Sequence, residues 1–508
     1  MKKLLAILLT LCMALSLAAC TPSAAENPTE TPTEAPTQPP LVWNGIESDH
    51  KHCVCAAKSV NKGAHTSCSN EDGWVAVGTA DELKSAIAGA VESPAYIYLT
   101  ADITVDGEIR VMPGAKVYVC LNGKTMTCFI RNYGNLNVTD CTGNGTWTSA
   151  KDWTMRGFST SVLNLYAGTY TITDASEESQ VFTAETGAVE EYELPEADAF
   201  INLYGGKIHN PNESSAAGAN IWLGGRACVN MYGGEIGACN VVNAGGNDYK
   251  VGGSICIRGD KCAFTMYDGV IQGGKLDTGS EDALGGNIGM WSGQLYVYGG
   301  TIKDGVSSGY GGNIATANKT GVIHIENATV SGGVAKKFGG NLYFNGGDRD
   351  ADFTTHAITL KNATISGGMA RTGGNIFHQR GVFTMESCKV LNGLCDENDI
   401  KHERGGGLAI QGQAKSAVIL AGANEFTNNF GSDILFREHS SGAVTPASIA
   451  GITGTDEILI ASNAFLKVHP ITTDNNANAA TIFKAIDGCT LVEAEGVWTL
   501  SPYTAPAA

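Results

Sequence analysis

Charge is scarce in this sequence. Only 17% of its 508 residues are Asp, Glu, Lys or Arg, too few for a coiled coil or a solvated disordered chain. Basic charge is scarcer still: 33 Lys and Arg face 51 Asp and Glu, a net charge of −18. That balance argues against a nucleic-acid partner, because phosphate contacts need a basic face. Proline is sparse, at 14 residues, and the 65 glycines do not fall at every third position, which excludes collagen. Beyond the first twenty residues no window approaches 18 continuous apolar residues, so nothing else is expected to cross a bilayer. No phosphate-cradling P-loop, GxSxG elbow or HExxH helix occurs. What is abundant is glycine, at nearly twice its usual frequency, set in a chain that is 43% hydrophobic.

The one long apolar run opens the chain. Met1-Lys2-Lys3 precedes Leu4 to Leu17, a charged n-region and an h-region too short for a stable span. It ends Leu17-Ala18-Ala19-Cys20. This resembles the bacterial lipobox, and the resemblance implies cleavage after residue 19 and a diacylated Cys20, with the bilayer as partner and the extracytoplasmic face of the cell membrane as location. Residues 21–40 read TPSAAENPTETPTEAPTQPP. Such a Pro/Thr-rich segment buries no apolar surface and stays extended. At about 3.1 Å per residue it reaches roughly 60 Å. The expected order is therefore a signal peptide over 1–19 and a lipidated tether over 20–42.

Residues 43–78 form a small Cys/His-rich segment. Within it His50, His52, Cys53, Cys55, His65 and Cys68 fall inside nineteen residues. Thiolate and imidazole suit tetrahedral zinc, and four such ligands can fold a segment that has no core of its own. Cys53, Cys55, His65 and Cys68 are the expected ligands of a structural zinc, with His52 as substitute. A disulfide, Cys53–Cys68 or Cys55–Cys68, is the alternative in an exported chain. Of the fifteen cysteines, Cys12 leaves with the signal, Cys20 is the anchor and three lie in this segment. The remaining ten are irregularly spaced and are read as mostly buried free thiols.

From about residue 95 one pattern recurs. GANIWL at Gly218, GGSICI at Gly252, GGNIGM at Gly285, GGNIAT at Gly311, GGNLYF at Gly339, GGNIFH at Gly373 and GGGLAI at Gly405 start 26 to 34 residues apart. Each unit carries a second alternating run, such as FINLYGGKI, CVNMYGGEI or QLYVYGGTI. Period-two alternation marks strands. Each unit thus reads as three short strands between glycine turns, and a variable period near 30 means a solenoid. WD40 blades and leucine-rich repeats fail on period and signature. The run resembles the right-handed parallel β-helix of the pectate-lyase-like fold, expected over residues 95–503. Ahead of it, Thr79-Ala80-Asp81-Glu82 is a capping box. Leu83, Ile87 and Val91 recur at helical spacing. A short helix over 80–91, within a cap at 79–94, is expected to cover the first coil's open end. The fold class is all-β, a parallel β-helix solenoid with an N-terminal capping helix.

Stacked coils bring equivalent residues about 4.8 Å apart. Asn220, Asn287, Asn313, Asn341 and Asn375 then form a structural amide ladder. In the second strand, parity points Tyr166, Tyr204, Tyr232, Tyr267 and Tyr298 outward, in a stripe about 19 Å long. Sugar rings stack on aromatic faces, so Tyr204, Tyr232, Tyr267 and Tyr298 are candidate glycan-binding residues; self-stacking is the plain alternative. The acidic balance favours a neutral or cationic glycan. Residues 174–198 hold nine acids and no Lys or Arg, an inserted acidic loop. The GHG and R-I-K motifs of polygalacturonase-like members are absent, and no catalytic residue is assigned. The sequence therefore predicts a lipid-anchored surface protein, a non-catalytic adhesin or glycan binder. The alternatives are a polysaccharide lyase or glycosidase working at the loop edge, and a passive envelope component.

Overall fold

The computed structural model describes residues 74–500, except 174–177, 188–195, 243–249, 280, 318–320, 347–356, 396–404, 412–415, 438–446, 451–457, 463–468, 475–482 and 495–496. Cys20, the tether and the Cys/His segment up to residue 73 lie outside the described residues.

Alternation of apolar and polar residues produces one coil after another. A middle coil runs through strands Gly293–Val297, Thr301–Lys303, Val306–Ser307 and Ile314–Thr316. Each pairs in parallel, residue for residue, with Gly321–Glu326, Thr329–Ser331, Val334–Ala335 and Leu342–Asn345 of the next coil. Among the described residues repetition builds sheets of 17, 24 and 7 strands, parallel except at the C-terminal strand Val497–Leu500: a parallel β-helix. The third sheet adds to the expected plan. Its strands, such as Val306–Ser307, are two to four residues long, too short to show a period.

Every second residue points into the shared core. One column runs Ile201, Val229, Phe264, Leu295, Ile323, Ile358, Phe383 and Val418; another runs Ile255, Ile288, Ile314, Leu342, Ile376, Leu408 and Ile434. All are buried. Burying each such side chain is worth about 1.5–3 kcal/mol. The recurring glycine pair has a steric cause. Gly311 sits at φ +57°, and a Cβ there would collide with the Ile314 carbonyl. A Cβ on Gly312 would strike the backbone of Val334 and Gly340 in the next coil.

The ends are closed by different devices. Helix α1 spans Ala80–Gly89, with the Thr79 hydroxyl accepting from the Glu82 amide and Glu82 accepting from the Thr79 amide. Leu83 and Ile87 enter the core, but the helix stops before Val91, which is 53% exposed; Ala90 is the buried residue instead. A strand, Val75–Val77, precedes the helix and pairs with Ala95–Leu99, so the sheet starts inside the segment read as Cys/His-rich. Three residues are too few for alternation to reveal. At the far end Val497–Leu500 runs antiparallel to both His469–Asp474 and Leu491–Ala494. Residues 174–198 also differ from the expected loop. They contain the strand Gln180–Glu185, paired with Trp153–Gly157 and Ile221–Gly224, whose Val181, Phe182 and Ala184 are buried.

Candidate functional site

Two amide ladders run along the solenoid. In the glycine-motif ladder Asn287 Nδ2 donates to Asn313 Oδ1 at 2.7 Å, Asn313 to Asn341 at 2.7 Å, and Asn341 to Asn375 at 2.8 Å. Each Oδ1 also accepts a turn amide, from Gly274, Gly305, Gly333 and Gly368. All four side chains are fully buried, with both ends satisfied, so they have nothing left to offer a ligand. Asn220 instead donates to Ser254 Oγ, the serine of the variant GGS motif. The second ladder lies on the outer face of the 17-stranded sheet: Asn164 donates to Asn137, Asn202 to Asn164 and Asn230 to Asn202, at 2.8, 2.8 and 2.9 Å.

The tyrosine column stands beside that second ladder. Each ring follows a strand of the sheet, and the Tyr204 amide continues the ladder by donating to the Leu165 carbonyl at 2.8 Å. Tyr166, Tyr204, Tyr232, Tyr267 and Tyr298 stack in sequence, centroids 4.8, 5.0, 4.9 and 5.8 Å apart and planes within 14°. The coil rise nearly equals an aromatic stacking distance, so the rings cover one another's faces and present edges and hydroxyls outward. Tyr166, expected in an exposed stripe, is buried at 4% exposure; the other four are half-buried. Burial pushes the hydroxyls of Tyr166, Tyr204, Tyr232 and Tyr267 above their ordinary value. The column ends as expected at Glu326, where Tyr298 meets His324 at 5.5 Å, and Glu326 takes His324 at 3.0 Å and Lys361 at 3.9 Å.

Concave, aromatic surface is found instead on the 24-stranded sheet. A cleft of about 310 Å³ is lined by Trp291, Tyr310 and Tyr343 together with Asp282, Gln379 and Arg380, among others. Tyr310 and Tyr343 meet at 4.6 Å, and Lys337 Nζ stands 5.3 Å from the Tyr310 centroid. Tyr343 Oη donates to Gln379 Oε1. A smaller cleft of about 210 Å³ is lined by Trp153, Trp222, Arg156, Arg258, Glu178 and Glu185, among others. Arg156 lies 4.8 Å over the Trp153 ring and 3.5 Å from Glu185. Gly224 makes room for Trp222, since a Cβ there would lie 2.5 Å from the indole. Trp222 and Tyr343 occupy one register column, separated by Cys256, Gly289 and Ala315. Four steps place the two clefts about 19 Å apart along the axis. Among these named lining residues acids and bases balance in each cleft.

The charges on the loop edge pair with one another from coil to coil. Lys250 Nζ donates to Asp282 at 2.5 Å, and Asp282 also accepts from Thr278 at 3.1 Å. Glu281 bridges Lys336 at 2.8 Å and Lys337 at 3.5 Å, and those lysines hold its carboxyl below the ordinary value. The cysteines follow the expectation of burial: of the ten among the described residues, eight are buried. Burial pushes Cys128, Cys239 and Cys256 up to about 12, which leaves them unreactive. The candidate ligands Cys53, Cys55, His65 and Cys68 lie outside the described residues. Parity found the tyrosines; it missed the clefts, because Trp291, Tyr310 and Tyr343 hold different positions within their repeats. Comparison of the chain with protein-family models, with curated proteins and with solved structures finds no match in any of the three.

Proposed function

We propose that this protein is a lipid-anchored surface protein that binds an extended, neutral glycan without cleaving it. The observation that carries the reading is the pair of charge-balanced, aromatic-lined clefts about 19 Å apart on one sheet of the solenoid. Indole and phenol faces offer apolar planes for the C–H faces of sugar rings, and flanking Arg, Gln and Asp side chains can bond their hydroxyls. Two such clefts in line suit a chain of several sugars better than a single one. The tyrosine column is the second candidate surface, but its ring faces are already spent on each other. The anchor at Cys20 and the tether supply the location, and the likeness to pectate-lyase-like proteins rests on the coil architecture. A lyase or glycosidase needs a base or paired carboxylates converging on the substrate. Asp282, in the larger cleft, is held by Lys250 and Thr278, and Glu185, in the smaller, is paired with Arg156, which favours binding over cleavage.

The test is affinity electrophoresis through neutral polysaccharides with three proteins: wild type, Trp291→Ala/Tyr310→Ala and Tyr232→Ala/Tyr267→Ala. By analogy with base stacking each ring is worth about 1–3 kcal/mol, so losing two weakens binding roughly tenfold or more. The cleft pair is expected to lose retardation and the column pair to keep it. Loss in the column pair alone would move the site to the tyrosines. An unretarded wild type would remove the glycan reading.

A further inference from the structure

Cys120 ends the strand Lys116–Cys120. Cys141 follows the strand Asn135–Thr139, which pairs with it in register so that Cys120 stands opposite Thr139. The two sulfurs lie 3.2 Å apart. A disulfide needs about 2.0 Å, so a shift of about one ångström separates contact from bond. Both cysteines are held in place. The carboxylate of Asp140 accepts the Gly123 amide and the Gly145 amide, each at 2.7 Å, and so ties together the turns that follow the two strands. Asn122 faces Cys141, its Oδ1 3.6 Å from the sulfur. Trp74 and Tyr118 pack over the pair, with Tyr96 and Tyr98 against them, and Tyr96 stacks on Tyr118 at 4.7 Å. Cys120 is fully buried, whereas Cys141 keeps 8% exposure and is the sulfur an oxidant can approach.

We propose that Cys120 and Cys141 form a disulfide that staples adjacent coils at the N-terminal end of the solenoid. In the reaction Cys141, as thiolate, attacks one sulfur of a low-molecular-weight disulfide such as oxidised glutathione. One glutathione leaves as thiolate and takes up the proton Cys141 gave. The Cys120 thiolate then attacks Cys141 in the mixed disulfide, the protein bond forms, and the second glutathione leaves and takes the second proton. Two thiols are oxidised and one disulfide is reduced. The position has a purpose. A solenoid coil is held only by its neighbours, so the terminal coils open first. A covalent link closing the loop from 120 to 141 constrains the unfolded end and leaves the aromatic cover in place. The chemistry of the pair stands on this geometry alone; an oxidising environment in the cell rests on the export reading.

The experiment treats the purified full chain, first reduced, with oxidised glutathione, then blocks remaining thiols and maps peptides by mass spectrometry. The expected product is a linked peptide joining Cys120 to Cys141, two hydrogens lighter than the separate thiols. A rise of several degrees in melting temperature that reducing agent reverses should accompany it. Cys141→Ser is expected to lose both signals and Cys239→Ser to keep both. Native wild type in which both thiols remain free after oxidation, or in which Cys141 stops at the glutathione adduct, would overturn the proposal. Ready bonding in vitro, with reduced thiols in protein taken from cells, would support the pair and count against the export reading instead.

Discussion

His378 is a fully buried imidazole in a column of apolar side chains. It stands in register between Phe344 and Ile410 and stacks on Phe383 at 5.5 Å. Burial drives its pKa down from 6.5 to about 4, outweighing the backbone groups of Gly381 and Arg380, which raise it. The consequence for stability has a definite sign. Below pH 6.5 the unfolded chain protonates this histidine, while the folded chain resists until about pH 4. Across that window the unfolded state binds more protons, so stability falls as pH falls, by about 3 kcal/mol in all. His378→Leu keeps the column apolar and removes the titration. Urea unfolding of both proteins at pH 7 and pH 4.5 is expected to show a smaller loss on acidification in the variant. Equal losses would mean that the imidazole finds a way to ionise inside the fold.

At the scale of the strand and the coil, the two amide ladders differ in what surrounds them. Asn341 is buried and serves four partners: it accepts from Asn313 and Gly333, and donates to Ser366 and Asn375. Asn202 is half-buried, and its side chain joins Asn164 and Asn230. Water can replace the partners of the second but not of the first. An unsatisfied buried group costs about 1–3 kcal/mol, so Asn341→Ala is expected to destabilise by roughly 3 kcal/mol or more, and Asn202→Ala by about 1 kcal/mol. Denaturant midpoints for the two variants measure the difference, and comparable losses would show that water reaches the inner ladder. The inner ladder was legible in the sequence because GGN recurs with a steric reason for each glycine. The tyrosine column was legible from parity, and its self-stacking followed from the coil rise. Val75–Val77 and Val306–Ser307 were not legible, because two or three residues carry no period. The strand Gln180–Glu185 was masked by its acidic flanks. The clefts were out of reach for another reason: they join Trp291 to Tyr310 and Tyr343 through loop paths that no fixed repeat offset encodes.

For the whole molecule, the solenoid and the first 73 residues pose different physical problems. The solenoid is stabilised by columns of Ile, Leu, Val and Phe that extend from coil to coil. Residues 43–73 contain few large apolar side chains, so order there requires cross-links, and Cys53, Cys55, His65 and Cys68 offer either a zinc site or a disulfide. The two outcomes respond in opposite ways to chemistry. Zinc needs reduced thiolates and is lost to a chelator; a disulfide ignores the chelator and is lost to a reductant. The Cys20→Ser chain is the material for the comparison. If Cys20 carries the lipid, that variant no longer incorporates labelled palmitate and moves from the membrane pellet to the soluble fraction. Continued labelling would end the anchor reading. In the released protein the expected metal content is about one zinc per chain, four ligands making one tetrahedral site. Cys53→Ser/Cys68→Ser removes two of those ligands and is expected to abolish it. A metal-free protein whose Cys68 maps to a disulfide with Cys53 or Cys55 would decide for the covalent link.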